Sequence, residues 1–118
     1  MIIKLDSDVK ENVLKDEGVK NVRKKVLIGT ADGSENIIMR RFLIFPGGNT
    51  PYHEHPHEHV IRVEKGRGMV VDGEGKEKLI REGSSLFISG GEKHQFRNPF
   101  SEPFGFLCII LNQDENTR

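Results

Sequence analysis

The strongest constraint on the fold is a succession of short β-prone runs, each closed by turn-forming residues. Residues 104–111 (FGFLCIIL) are apolar at successive positions and predict a strand buried on both faces. Residues 36–45 (NIIMRRFLIF) predict another strand that ends at Pro46, and Asp72-Gly73 marks a tight hairpin. Further strands are expected at residues 19–28, 59–64, 69–71, 78–80, 85–88 and 95–97. Strands spaced by about 8–12 residues, without a convincing helix, predict an all-β jelly-roll sandwich or barrel.

The length of 118 residues corresponds to a single domain. We expect an N-terminal segment at residues 1–18, a β-barrel core at residues 19–111 and a polar tail at residues 112–118 that frays. The run at residues 19–28 is rich in valine and isoleucine and needs a sheet edge, which predicts a homodimer that covers it.

Composition argues against several classes of partner. Lysine plus arginine and aspartate plus glutamate each number 18, so the formal net charge is zero, which disfavours a nucleic-acid partner. No apolar run approaches the ~18 residues of a membrane span, and no cationic start leads into an apolar signal stretch. Cys108 is the single cysteine, so no internal disulfide forms. These features predict a cytoplasmic protein with neither a nucleic-acid nor a membrane partner.

Four of the five histidines fall within seven residues: His53, His55, His57 and His59. A straight strand would separate the first and last of them by about 20 Å, too far for the ~2.0–2.1 Å bonds of one metal ion. The chain must therefore turn, and Pro56 supplies the break. His53 and His55 would then leave one strand, His57 would lie in the connection and His59 would open the next strand.

The remaining histidine, His94, precedes a predicted strand and follows a glycine-rich turn, which suits the mouth of a barrel. Because histidine is the commonest metal-ligating side chain, the cluster together with His94 indicates a metal site. The alternative interpretation is a solvated histidine-rich loop that binds no specific metal.

The glycine and histidine spacing resembles the two sequence motifs of the cupin superfamily. Gly47 is followed after five residues by His53-Glu54-His55, then by His59 and, six residues further, by Gly66. The second motif is matched by Gly83, Gly91, His94 and Asn98. His59 stands where the superfamily usually has glutamate, and Ser89 stands where it usually has proline. The run His53-Glu-His55-Pro-His-Glu-His59 is similar to that of small single-domain cupins of the four-histidine type.

The resemblance implies a double-stranded β-helix that holds one divalent metal ion per chain through His53, His55, His59 and His94. It also implies a homodimer, often with an N-terminal strand exchanged between subunits. Members of the superfamily favour Mn or Fe, while imidazole ligands also suit Ni, Zn and Cu. Four neutral ligands leave the ion its full +2 charge, and an octahedral ion would keep two open positions.

This site favours a metal-dependent enzyme that acts on a small organic molecule, with an oxygenase-type oxidoreductase (a dioxygenase-like reaction) as the first interpretation. A non-redox isomerase, lyase or decarboxylase and a non-catalytic ligand-binding module remain alternatives, because one fold hosts many reactions. No acid–base pair is evident, so the catalytic residues are left open. His57 is the one candidate general base outside the predicted ligand set.

Four residues are candidates for the substrate pocket: Phe96, Cys108, Arg40 and His57. Phe96 shares the parity of His94 and would form an apolar wall, while Cys108 either fills the core or lines the pocket. An inward Arg40 would bind a carboxylate substrate or form a structural ion pair. The basic run at residues 20–25 is expected to be a solvated strand face.

Overall fold

The computed structural model describes residues 1–112, which form nine antiparallel strands and two single-turn 3₁₀ helices, Asp6–Asp8 and Thr30–Asp32. The fraying predicted for the polar tail concerns residues that, apart from Asn112, lie outside the described residues. The strands are β1 (Asn12–Val13), β2 (Lys20–Ile28), β3 (Ile37–Asn49), β4 (His59–Lys65), β5 (Arg67–Val71), β6 (Glu77–Arg81), β7 (Ser85–Ile88), β8 (Gln95–Arg97) and β9 (Phe104–Leu111).

The strands form one curled sheet in the order β6-β5-β8-β3-β9-β4-β7, with β2 paired to β3 and β1 paired to β2. Strands distant in sequence are neighbours here, because β9 lies between β3 and β4. This arrangement confirms the predicted all-β jelly-roll fold. No helix in residues 1–112 is long and apolar enough to cross a membrane.

The interior is built from alternate residues of the central strands. On β9 the inward side chains are Phe104, Phe106, Cys108 and Ile110, each at most 2% exposed. The ring of Phe106 lies 5.3 Å from that of Phe104 and 4.5 Å from that of Phe96, measured between centroids. Truncating an aromatic side chain in such a core costs about 3–5 kcal/mol, so the inward-facing side chains of β9 are central to stability.

Strand β3 extends beyond the predicted end at Pro46 and continues to Asn49. Gly47 takes φ 80°, a left-handed conformation that glycine adopts without strain. The Gly47 N–H donates to the carbonyl of Asn98, and the Asn98 N–H donates to the carbonyl of Gly48, at 2.8 and 2.9 Å. The side chain of Asn98 is 1% exposed and donates to the carbonyls of Ile44 and Glu102. These bonds fasten β8 against the end of β3.

The N-terminal segment pairs within its own chain. β1 lies antiparallel to β2, opposite Arg23 and Lys24. β2 pairs with β3 along most of its length. Within the described residues, β2 therefore pairs along one edge with β3, while β1 covers only Arg23 and Lys24 on its other edge, and the predicted homodimer stays a prediction.

Candidate functional site

The histidine loop, residues 50–58, connects β3 to β4 and turns at Pro56, as we predicted from the position of this proline. His53 forms an isolated antiparallel bridge with His94: each backbone N–H donates to the other's carbonyl, at 3.1 and 2.9 Å. The chain then bends at Pro56 and His57, and His59 opens β4. The fold therefore brings His94, remote in sequence, beside the histidine cluster.

The glycine-rich turn before His94 packs against the backbone of the histidine loop. The Gly91 N–H donates to the carbonyl of His55 at 2.6 Å. A side chain at Gly90 would place its Cβ only 2.4 Å from the carbonyl oxygen of Pro56, closer than real Cβ atoms approach. The absence of a side chain at Gly90 thus allows the two loops to pack backbone against backbone.

All five histidine rings lie close together. The Nε2 atoms of His53 and His55 are 3.0 Å apart, as are those of His57 and His59. The rings of His59 and His94 meet edge to face with centroids 5.0 Å apart. Within residues 1–112, no group of three or more His, Cys, Asp or Glu side chains is arranged, as it stands, to hold a metal ion. The described arrangement is instead two hydrogen-bonded histidine pairs beside His94.

Burial keeps the central rings neutral near pH 7. Loss of solvent, followed by repulsion from neighbouring rings and from Arg40, lowers the pKa of His59 to about 3 and that of His55 to about 4. Burial and then His94 lower the pKa of His53 as well. A neutral imidazole carries one nitrogen lone pair, so these rings have the protonation state that a metal ligand requires.

His57 lies in the predicted connection but is more buried than a loop position suggests. It is 3% exposed, and its ring is stacked on that of His55 with centroids 5.1 Å apart and an interplanar angle of 14°. The side chains that line the adjacent cavity include His53, His55, His59 and His94, while His57 lies behind them. His57 is therefore the one histidine of the five that does not line the cavity.

A cavity of about 170 Å³ opens beside these four histidines. Engineered cavities of about 150 Å³ accommodate benzene, so a molecule of one ring fits. The remaining lining residues are Leu14, Asp16, Val19, Lys24, Arg40, Phe42, Thr50, Pro51, Phe96, Phe106 and Cys108. Three of the four predicted pocket residues (Arg40, Phe96 and Cys108) therefore lie on its wall.

Arg40 points into the barrel and is 6% exposed. Its Nη2 donates to Cys108 Sγ at 3.1 Å, and its guanidinium carbon lies 5.0 Å from the centre of the Phe42 ring. Burial raises the pKa of the Cys108 thiol, an effect that the charge of Arg40 opposes. The sequence predicted neither this thiol contact nor the stacking on Phe42.

Sequence reasoning missed Lys24, which lines the cavity although it belongs to the basic run expected to face solvent. Lys24 alternates with Val22 and Val26 on β2, so it lies on the same inward face of the strand, and this alternation could have revealed its direction. Tyr52 is not among the side chains that line the cavity: its hydroxyl donates to the carbonyl of Asp72 at 2.6 Å, and its ring lies under Lys93.

Comparison with known proteins gives relatives of several activities. Residues 40–110 match the family model described as a cupin domain. Over 72 residues the chain is 35% identical to 1-methylthio-D-xylulose 5-phosphate methylsulfurylase of Rhodospirillum rubrum. That match covers 61% of this chain and 46% of the relative, so the chain spans less than half the length of this curated relative.

Two solved structures have the same fold. The polyketide cyclase RemF from Streptomyces resistomycificus superposes with a TM-score of 0.88 at 30% identity, over 94% of this chain and 80% of that one. A predicted oxalate decarboxylase from Thermotoga maritima superposes with a TM-score of 0.81 at 23% identity, over 93% and 98% of the two chains. The family match, which covers more than half of the sequence, shows that this chain belongs to the cupin domain family.

Proposed function

We propose that this cupin is a metal-dependent enzyme that converts a small organic molecule. One divalent ion per chain would be bound by His53, His55, His59 and His94, with Mn or Fe favoured.

The observation that carries the proposal is the 3.0 Å distance between the Nε2 atoms of His53 and His55. Two ligands with bonds of ~2.1 Å at a right angle to each other lie ~3.0 Å apart. The same distance separates Nε2 of His57 and His59, but His59 lines the cavity and His57 does not. His59 would therefore exchange its hydrogen bond with His57 for the ion.

The tautomer of His94 supports its role as a ligand. Its Nδ1 lies 2.8 Å from the carbonyl oxygen of Glu92. Because a carbonyl oxygen only accepts, Nδ1 carries the proton and Nε2 keeps its lone pair. Ligating histidines commonly donate their other ring N–H in this way, which fixes the orientation of the ring.

A divalent ion held by these residues would keep its full +2 charge, since all four protein ligands are neutral, and would supply Lewis-acid or redox chemistry. The chain's own contribution is a cavity with a largely apolar wall. Phe96 is 4% exposed, its ring is 5.9 Å from that of His94, and Phe106 packs behind it. These walls would exclude water and orient an apolar substrate toward the histidines.

Our first candidate for the reaction is an oxygen-dependent oxidation, which is the chemistry that a redox-active ion such as Mn or Fe would supply if these four histidines held it. The second candidate is a non-redox reaction in which the ion acts as a Lewis acid. The similarity to a protein named as a polyketide cyclase supports this second class, because a ring closure needs no change of oxidation state. His57, the candidate base of the sequence, is 3% exposed and does not line the cavity, so it is placed to orient His59 and not to reach a substrate.

Elemental analysis of the purified protein, combined with oxygen-uptake measurements on small acids and phenols, tests the proposal. We expect about one transition-metal ion per chain, and removal by a chelator should lower the melting temperature by several degrees. A metal present at 100 times its Kd stabilises the fold by about 2.7 kcal/mol. Oxygen uptake by the loaded protein supports oxidation, whereas metal-dependent turnover without uptake supports the second candidate. Failure to bind any of Mn, Fe, Ni, Zn or Cu would contradict both.

A further inference from the structure

The N-terminal segment supplies part of the wall of the cavity beside the histidines. Leu14, Asp16 and Val19 line this cavity together with residues of the barrel strands. Leu14 and Val19 are half-buried and pack against the hydrophobic core, whereas Asp16 is exposed. The segment at residues 1–18, which we predicted to lie outside the barrel core, therefore helps to build the candidate site.

Leu14 faces the interior because it continues the pairing of β1 with β2. Val13 is paired in register with Arg23, and the Leu14 N–H donates to the carbonyl of Val22 at 3.0 Å. Successive side chains of an extended chain point to opposite faces. Val13 is accordingly 56% exposed, whereas Leu14 turns inward beside Val22, which is fully buried.

The turn that follows Leu14 is fastened to the histidine end of the cavity. The Val19 N–H donates to the carbonyl of Asp16 at 3.1 Å, and Gly18 takes φ 84°, which glycine adopts without strain. The side-chain amide of Asn49 donates to the carbonyl of Gly18 at 2.8 Å. A Cβ at Gly18 would lie 3.5 Å from the Cβ of Pro51, a residue of the histidine loop. The position of the turn relative to the histidines is therefore defined by contacts on both of its sides.

The aromatic part of the cavity wall has little freedom to adjust. Phe42, Phe96 and Phe106 line it from β3, β8 and β9. The ring of Phe106 lies 5.4 Å from that of Phe42 and 4.5 Å from that of Phe96, measured between centroids. Rings packed at these distances support one another, as in the interior of other proteins. Leu14, in contrast, follows a strand of only two exposed residues, so a change of its size disturbs the barrel least.

We propose that Leu14 is a specificity-determining residue, whose side chain restricts the ligand of this cavity to an apolar molecule of one ring. This inference rests on the proposed function, because it takes the cavity beside the histidines as the substrate site. The cavity of about 170 Å³ is close to the ~150 Å³ that accommodates benzene. A second fused ring adds four carbon atoms, for which the leucine side chain leaves no space. Replacing leucine by alanine removes three carbon atoms and provides most of that space.

Calorimetric titration of the purified protein with phenol and 1-naphthol tests this size selection. We expect the wild type to bind phenol at least about tenfold more tightly than 1-naphthol, because one methylene group in an apolar pocket already changes discrimination about 10–200-fold. Leu14→Ala should bind 1-naphthol at least about tenfold more tightly than the wild type does. Leu14→Phe should weaken phenol binding, since the larger side chain occupies the cavity. Leu14→Val should give an intermediate gain for 1-naphthol, and it serves if the alanine variant fails to fold.

The matched control is Val13→Ala. Val13 precedes Leu14 in the same segment but lines a different pocket, with Asn21 and Phe45. Both affinities of this variant should equal those of the wild type. Equal affinity of the wild type and Leu14→Ala for 1-naphthol would overturn the proposal. Tighter binding of 1-naphthol than of phenol by the wild type would also overturn it, as would a wild type that binds neither.

The same titrations after treatment with a chelator separate this inference from the proposed function. Size selection depends on the cavity wall and should persist without metal. Size selection in a chain that binds no metal would support the role of Leu14 and contradict only the metal-dependent function. A metal-binding chain without size selection would contradict only the role of Leu14.

Discussion

His57 and His59 have Nε2 atoms 3.0 Å apart, yet we assign them different roles. His59 begins β4 and lines the cavity, whereas His57 stacks on His55 behind it. The difference matters because a ligand and a residue that merely supports a ligand respond differently to truncation.

We expect His59→Ala to lose most of the bound metal, because only three histidines would hold the ion. His59→Glu should keep the metal, since a carboxylate replaces the imidazole and lowers the charge of the site by one. His57→Ala should retain nearly the wild-type metal content, because removing a residue that only orients a ligand costs at most about 10–100-fold in metal affinity. The measurement is the metal-to-protein ratio after identical purification. Metal loss in His57→Ala with retention in His59→Ala would reverse the assignment.

The lowered pKa values of His55 and His59 predict a pH-dependent stability of the metal-free protein. In the unfolded chain both take up protons near pH 6.5, but in the folded chain only near pH 4 and pH 3. Above pH 6.5 both states are neutral and the histidines contribute no pH dependence. As the pH falls from 6.5 toward 4, the unfolded state binds more protons and the free energy of unfolding decreases. We expect a loss of about 1–3 kcal/mol after allowance for partial exposure.

Urea unfolding of the chelator-treated protein at several pH values measures this slope, and His59→Gln should flatten it. Asp32 and Asp72 also have lowered pKa values, but they lose their contribution only below their usual value of 3.8. The interval between pH 6.5 and pH 4 therefore isolates the histidines. A free energy of unfolding that stays constant across this interval would show that the rings are protonated equally in both states.

Among the elements, the glycine-rich turn before β8 controls the position of the histidine loop. We expect Gly90→Ala to lower the free energy of unfolding by about 1–3 kcal/mol and to reduce metal binding, because its Cβ would lie 2.4 Å from the carbonyl oxygen of Pro56. Gly73→Ala is the matched control, since its Cβ would meet its nearest atom, the carbonyl oxygen of Lys93, at an ordinary 3.6 Å. Chemical denaturation and metal analysis of the two variants provide the comparison. Similar behaviour of both would mean that the two loops separate without cost.

Strand prediction from sequence succeeded where a run had clear turn residues at both ends. The predicted strands 85–88, 95–97 and 104–111 match β7, β8 and β9 in their bounds. β3 was predicted too short, because Pro46 and two glycines resemble a terminator when their pairing partners are unknown. The partner that extends β3 is β8, through Asn49 and Arg97, and this contact is visible only in three dimensions.

The sequence singled out the histidines that the structure brings together, but it did not predict which other side chains lie behind or below them. The turn at Pro56 follows from the spacing of His53 and His59 and the reach of the chain, whereas the approach of His94 was expected from its place beside a glycine-rich turn and from the cupin resemblance. The inward direction of Lys24 was obscured by its charged neighbours, because Arg23 and Lys25 on the outer face conceal the alternation of β2. The burial of His57 was also missed, since a residue in a connection has no parity to read and its stacking on His55 depends on the local bend.

At the scale of the whole molecule, an apolar row crosses the outer face of the sheet. Phe87 on β7 pairs with Val60 on β4, which pairs with Ile109 on β9, which pairs with Met39 on β3. Phe87 is 60% exposed and Val60 53% exposed. Exposed apolar surface of this kind often marks a protein interface, which gives the homodimer prediction a different basis from the edge of β2.

We expect light scattering to give a mass of twice 13.4 kDa and Phe87→Glu to shift it toward the monomer, because a charge would be buried in the interface. Leu79→Glu is the control: Leu79 is 56% exposed but lies on β6, at the opposite edge of the sheet. Its mass should remain that of the dimer. A wild-type protein that is monomeric at micromolar concentration would contradict the prediction.

The bridge between His53 and His94 also constrains the order of folding. Its two residues are separated by about forty positions in the chain, so the bridge forms only after a long loop has closed, at an entropic cost set by its length. The strands β4 to β7 all lie within that loop. We therefore expect the complete histidine set to form late in folding, so that an ion that needs the whole set slows unfolding without accelerating folding.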